Sequence, residues 1–96
     1  MNRNATAYSL LFVIHTHLAD KHHVPTHISD SYRHTINHIL PFYANSPRLN
    51  DQLQKSIPVR NRVCHFKPIF RQDLNLLKSI CSSLHISQSM KVGMRR

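Results

Sequence analysis

The chain has 96 residues, with thirteen Lys plus Arg against four acidic residues, which gives a formal net charge of +9. A chain of this length holds one small domain, so a large multidomain enzyme is excluded. The excess of positive charge favours an acidic partner, and nucleic acid is the first candidate.

Missing residue types exclude further kinds of site. All four acidic residues are Asp, so the HExxH metalloprotease helix and the EF-hand loop, which both need a Glu, are excluded. Gly93 is the single glycine, so neither a dinucleotide-binding nor a P-loop glycine motif is present. Cys64 and Cys81 form no CxxC pair, and we expect both to be reduced and partly buried. No run of residues approaches the roughly 20 apolar residues of a membrane span, so we expect a cytoplasmic protein without membrane contact.

Charge is distributed unevenly along the chain. Residues 1–45 carry three basic and two acidic residues, a net of +1, whereas the remaining 51 carry ten basic and two acidic residues, a net of +8. Seven of the nine histidines lie in the first part. The charge distribution predicts that the partner-binding chemistry lies in the second half.

Two helices are predicted in the first half. Residues 5–19 are rich in apolar residues and contain no helix breaker, so their length favours a helix over a strand. Pro25 interrupts this segment, and Ser29 or Asp30 supplies an N-cap for a second helix that Pro41 ends. The expected apolar stripe of this second helix consists of Tyr32, Ile36, Ile39 and Leu40.

The second half of the chain contains the clearest helical pattern. Ser46 is the expected N-cap and Pro47 the first helical residue. After Pro47 an apolar residue recurs every four positions, and we expect these residues to lie in the core or at a dimer interface. These recurring residues are Leu49, Leu53 and Ile57. Because Pro58 lacks an N–H, we expect a kink there, or a new helix capped by Ser56 that continues over residues 59–66.

A final amphipathic helix follows a second stop at Lys67 and Pro68. Asp73 is expected to open this helix, and residues 89–96 are expected to be frayed. The apolar face predicted for it consists of Leu74, Leu77, Ile80, Cys81 and Leu84. Together the elements predict an all-α class: a small antiparallel bundle over residues 1–96, or a fragment of one, with its motif-bearing part at 47–88. So small a core favours dimerisation or a missing N-terminal portion.

A short cluster of residues carries the candidate chemistry. Arg60, Asn61 and His65 follow one another closely after Pro58. An arginine donates two parallel N–H groups to a phosphate, and a histidine accepts or donates a proton near neutral pH. The pair is therefore suited to catalysing attack of an RNA 2′-hydroxyl on the adjacent phosphodiester. At 100° per residue, however, Arg60 and His65 lie about 140° apart on a helix, and one histidine does not readily act on both sides of the reaction. The alternative is that Arg60 and Arg62 are solvated and that His65 packs at a helix end.

The same cluster resembles a known family. Residues 59–70 read VRNRVCHFKPIF and are followed by Asp73, Leu74 and a leucine-rich helix. This stretch is similar to the C-terminal segment of Abi-like (abortive infection) proteins of the HEPN superfamily, which typically read RNR, then Val or Ile, then AHHEPI. The resemblance covers residues 48–88, and Cys64, Phe66 and Lys67 depart from the typical pattern.

The resemblance implies a helical domain that dimerises around the motif, in a superfamily rich in endoribonucleases of toxin–antitoxin and phage-defence systems that need no metal or other cofactor. On the matching positions, Arg60 would hold the scissile phosphate, Asn61 would orient the phosphate or the partner histidine, and His65 would be the base or acid. The implied partners are RNA, a second copy of the chain and an antitoxin.

Two alternatives remain open. The chain is also compatible with an inactive basic module that binds RNA or a protein, for which Arg62, Lys67 and Arg71 are candidate RNA contacts. In that case Phe66 and Phe70 stack bases, although their spacing favours the core. The second alternative is a histidine-rich metal-binding protein. It rests on four-residue spacing of His34 and His38, with His22, His23 and His27 nearby.

Overall fold

The computed structural model describes residues 3–86 and consists of five α-helices and one 3₁₀ helix in that range. In chain order these are α1 (Arg3–Lys21), α2 (Thr26–Ser29), α3 (Tyr32–Ile39), the 3₁₀ helix (Leu40–Tyr43), α4 (Pro47–Cys64) and α5 (Arg71–Ser83). The described residues include no β-strand, and the predicted all-α bundle is confirmed. None of the helices within residues 3–86 has both the length and the hydrophobicity of a membrane span. The tail predicted to fray, residues 89–96, lies outside the described residues.

The core lies between α1 and the helices that surround it, since α1 contacts α3, α4 and α5. The buried residues of α1 recur at intervals of four and three, which places them on one helical face. They are Ala7, Leu11, Ile14 and Leu18. Leu77, Ile80 and Cys81 of α5 and its C-cap Leu84 are buried as predicted, and Leu74 packs at the edge of the core. Leu53 of α4 is fully buried, with Leu49 and Ile57 half-buried beside it.

Pro58 does not divide α4, and Ser56 is not a helix cap. A single α-helix runs through both residues. Ser56 is buried, and its hydroxyl donates to the Leu53 carbonyl at 2.6 Å and accepts from the Tyr32 hydroxyl, 2.8 Å away. The carbonyl that Pro58 leaves without a helical donor belongs to Gln54, and both residues are exposed. The proline thus lies on the solvent-exposed side of α4, where loss of one helical hydrogen bond costs less than it would in the core.

Two helix starts differ by a few residues from the prediction. Residues 26–29 form α2, and Ser31 rather than Ser29 or Asp30 is the N-cap of α3, its hydroxyl accepting from the His34 N–H at 3.3 Å. At the start of α5, the N–H of Phe70 donates to the Asp73 carboxylate at 2.9 Å. Asp73 thus stabilises the first turn from its third position instead of opening the helix.

Three helices end in the same backbone motif. After α1, α4 and α5 the chain turns through a residue with positive φ: 50° at His23, 59° at Phe66 and 60° at His85. At each end two hydrogen bonds reach back over the last turn, as in the Schellman motif. After α4, for example, Lys67 N–H donates to the Arg62 carbonyl at 2.9 Å. The predicted continuation of this helix to Phe66 is therefore wrong by two residues.

Candidate functional site

An open groove lies between α1 and α4. It encloses about 120 Å³, and the residues that matter for its chemistry are Tyr8, Phe12, His15, Tyr32, Arg60 and Cys64. On α1, Phe12 follows Tyr8 by four residues and His15 follows Phe12 by three, so all three share one helical face. Tyr8 and Phe12 are 60% and 59% exposed, and they lie side by side on the surface of α1. The groove therefore presents uncovered aromatic surface to a ligand or partner.

Arg60 places a positive charge in this groove. It is half-buried, and it forms no ion pair with any residue in the described part of the chain. None of the described residues that line the groove is acidic. An uncompensated guanidinium in an acid-free groove suits an anion such as a phosphate, which it binds through two parallel N–H groups.

Tyr32 forms part of the same wall and remains a neutral phenol. Burial raises the pKa of Tyr32, and the smaller opposing effects of its hydrogen bond to Ser56 and of the charge on Arg60 do not reverse this. Tyr32 therefore does not neutralise Arg60.

His65 lies away from the groove. It is the C-cap of α4 and is exposed, and its backbone N–H donates to the carbonyl of Asn61 at 3.1 Å. Asn61 is exposed too, and neither residue lines the groove that contains Arg60. A single chain therefore does not bring Arg60 and His65 into one cavity, in keeping with their predicted separation around the helix.

Arg62 has a structural contact. Its guanidinium donates to the Asp73 carboxylate at 2.8 Å, through the same oxygen that accepts the Phe70 N–H. This ion pair joins the end of α4 to the start of α5. RNA contact by Arg62 stays a prediction, and it would have to compete with Asp73.

The loop between α4 and α5 carries exposed aromatic and basic side chains together. Phe66 is 92% exposed and Phe70 57% exposed, so the expectation that both lie in the core is wrong. The helix ends at Cys64, and for that reason the four-residue spacing of Phe66 and Phe70 does not place them on a helical face. Lys67 and Arg71, two predicted RNA contacts, are exposed beside them.

Sequence reasoning missed His15, which the structure places in the groove with Arg60. Its Nε2 lies 2.8 Å from the Ser29 carbonyl oxygen and 3.2 Å from the Thr35 hydroxyl. Its ring meets that of Tyr32 edge-on, with centroids 5.5 Å apart. The spacing of Tyr8, Phe12 and His15 is visible in the sequence, but it does not tell which helix this face meets.

The remaining candidate site residues are the proposed metal-binding histidines and the two cysteines. His34 and His38 are exposed, and among residues 3–86 no three His, Cys, Asp or Glu side chains gather as metal ligands would. Cys64 is an exposed free thiol at the groove, not a partly buried one as expected. Cys81 is a buried free thiol, and burial raises its pKa, which keeps it protonated and unreactive.

Comparison with known proteins gives no match to a family model, to a curated protein or to a solved structure. The resemblance of residues 59–70 to Abi-like proteins thus stays a prediction based on the motif.

Proposed function

We propose that this chain is a metal-independent endoribonuclease of the HEPN type, whose site is completed by a second copy of the chain. The observation that carries the proposal is the unpaired guanidinium of Arg60 in an acid-free groove, five positions before an exposed histidine. The net charge of +9 supports an RNA substrate.

The two residues have complementary roles. Arg60 binds the scissile phosphate and stabilises the negative charge that grows on it in the transition state. His65 exchanges a proton with the attacking 2′-hydroxyl or with the leaving 5′-oxygen. Because His65 lies outside the groove of its own chain, the proposal assigns it to the groove of a partner related by a twofold axis. The exposed faces of Tyr8 and Phe12 are suited to the dimer contact or to the RNA bases.

An RNA cleavage assay in the presence of EDTA tests the proposal. We expect the wild type to cleave single-stranded RNA, leaving 5′-hydroxyl ends, and Arg60→Ala and His65→Ala each to lose at least about a hundredfold in rate. Arg33→Ala, which changes an exposed arginine on α3, is the matched control and should cleave normally. Equal cleavage by all four proteins, or none by the wild type, would refute the proposal.

The α4–α5 loop favours a second candidate, a non-catalytic RNA-binding module. Phe66 and Phe70 are exposed between basic residues, an arrangement in which rings stack on bases while cations contact phosphates. This candidate predicts RNA binding that weakens steeply with salt, without cleavage. Phe70→Ala should then weaken binding by about 1–3 kcal/mol, as loss of one stacked base does. Unchanged affinity in Phe70→Ala would exclude the loop as the binding surface.

A further inference from the structure

The groove that contains Arg60 also contains a histidine of the same chain. His15 extends from α1 into the wall opposite α4, and Arg60 extends from α4. His15 is not one of the motif residues Arg60, Asn61 and His65, and it lies in the half of the chain that the resemblance does not cover. Among the described residues, it is the one histidine that lines the groove of Arg60.

The hydrogen bonds of His15 fix which ring nitrogen carries the proton. A carbonyl oxygen only accepts, so the 2.8 Å contact with Ser29 requires Nε2 to be the donor. The Thr35 hydroxyl, which also contacts Nε2, donates its own proton to the Ser31 carbonyl at 2.8 Å and thus accepts as well. In the neutral ring the lone pair is therefore on Nδ1, which makes no hydrogen bond to a described residue. A backbone carbonyl that holds Nε2–H in this way orients the ring and leaves the lone pair on Nδ1.

We propose that His15 is the general base of the cleavage reaction, acting in the groove where Arg60 holds the phosphate. This inference rests on the proposed endoribonuclease function. Nδ1 of His15 takes the proton from the ribose 2′-hydroxyl, and the 2′-oxygen forms a bond to phosphorus. The bond from phosphorus to the 5′-oxygen breaks, and this oxygen receives a proton from the partner subunit's His65. The products are a 2′,3′-cyclic phosphate and a 5′-hydroxyl, and no oxidant, reductant or metal is consumed.

This assignment resolves the difficulty that a single histidine meets in such a reaction. In an in-line displacement the attacking and leaving oxygens lie on opposite sides of the phosphorus, so base and acid are normally different groups. His15 and Arg60 come from one chain, and His65 comes from the other. The aromatic side chains of Tyr8 and Phe12, on the same face as His15, are placed to contact the nucleoside whose 2′-hydroxyl is activated.

A pair of matched substitutions tests the role of His15. The side-chain nitrogen of glutamine occupies nearly the position of Nε2, so His15→Gln retains a donor to the Ser29 carbonyl but has no base at Nδ1. His17→Gln makes the same change two residues away on α1, outside the groove. We expect His15→Gln to unfold near the wild-type urea midpoint and to cleave RNA about 10²–10⁴ times more slowly, while His17→Gln cleaves normally. Free imidazole should restore part of the rate of His15→Ala, an effect that a purely structural histidine does not produce.

The outcomes separate the inference from the proposed function. If the wild type cleaves, Arg60→Ala and His65→Ala do not, and His15→Gln cleaves at the wild-type rate, then the endoribonuclease stands and His15 is not its base. If the wild type does not cleave, both fall. A measurement on the wild type covers the case in which the variants do not fold: ¹⁵N NMR of the His15 ring should give the Nε2–H tautomer. Nδ1 should shift on addition of a ribodinucleotide that retains the 2′-hydroxyl but carries a CH₂ group in place of the 5′-oxygen, so that it binds without being cleaved. An Nδ1–H tautomer, or an unmoved Nδ1 resonance, would overturn the inference.

Discussion

Phe66 adopts a left-handed backbone conformation that is unusual for a large side chain. Its φ of 59° falls in the region where a Cβ atom crowds the neighbouring carbonyl, which disfavours non-glycine residues by about 1 kcal/mol. The ring gains no burial in return, because it is 92% exposed. The residue occupies the left-handed position of the Schellman turn that ends α4, where glycine is the usual residue. Phe66 therefore lowers the stability of this turn without gaining burial.

Replacement of Phe66 tests this interpretation of its conformation. Phe66→Gly should raise the free energy of unfolding by about 1 kcal/mol, because glycine adopts positive φ without strain. Phe66→Ala removes the ring and retains Cβ, so it should leave stability near that of the wild type. Urea unfolding of the three proteins measures the difference. Equal midpoints for the Gly and Ala variants would contradict the argument from backbone strain.

The contact between α4 and α5 depends on a partly buried ion pair. Arg62 and Asp73 meet at 2.8 Å, with 33% and 12% of their side chains exposed. Asp73 also accepts the Phe70 N–H, so the carboxylate fixes both the first turn of α5 and its position against α4. The geometry of the loop between them, with Phe66 and Lys67, therefore depends on this pair.

Arg62 and Arg71 should respond differently to replacement by alanine. Arg62→Ala should lower the free energy of unfolding by about 1–2 kcal/mol, between the values for exposed and for buried pairs. Arg71 is exposed and forms no ion pair with another described residue, so Arg71→Ala should leave stability unchanged and weaken salt-sensitive RNA binding. Urea midpoints and RNA titrations of both variants decide the roles. A stable Arg62→Ala with weakened RNA binding would reassign Arg62 to the RNA surface.

The end of α1 should make the fold sensitive to acid. His22 stacks on Phe42 with ring centroids 4.6 Å apart, and its Nε2 lies 2.8 Å from the Tyr43 hydroxyl. Nε2 of His17 is buried without a partner among the described residues. Burial, and to a lesser degree the charge of Lys21, lowers the pKa of both histidines below their ordinary 6.5.

The direction of the pH effect follows from these lowered pKa values. Well above pH 6.5 both rings are neutral in the folded and the unfolded chain, and stability is at its full value. Below pH 6.5 the unfolded chain takes up protons first, so stability falls until the lowered pKa values are passed. The urea midpoint should be highest at pH 8, lower at pH 6.5 and lowest at pH 5. The decrease should be smaller in His17→Gln, which has one titrating ring fewer. A midpoint that rises between pH 6.5 and 5 would contradict the proposed burial of neutral rings.

At the scale of the whole molecule, hydrophobic spacing predicted most of the fold. The apolar stripes of α3 and α5 lie where the sequence placed them, because each stripe depends only on local periodicity. In α4, Leu53 is buried as predicted, but the buried face continues through Val59 and Val63, while Leu49 and Ile57 are half-buried. Continuity through Pro58 depends on the exposure of Gln54, and the buried position of Ser56 depends on Tyr32 from another helix. Neither is visible in local sequence.

The candidate site was predictable only in part. Arg60 and His65 follow from the motif, but the groove around Arg60 requires α1 to pack beside α4, a tertiary contact. His15 belongs to that contact and carries no motif, so no sequence signal connects it with Arg60. The exposure of Phe66 likewise depends on where α4 ends, which the pattern misplaced by two residues.

Mixing two inactive variants tests most directly whether Arg60 and His65 of different chains share one site. Arg60→Ala and His65→Ala should each fail to cleave RNA alone. Unfolded together in equal amounts and refolded, they should form mixed dimers in which one of the two sites is intact. Random pairing then predicts recovery of about one quarter of wild-type activity. Confirmed mixed dimers that show no recovery of cleavage would contradict a site shared between subunits.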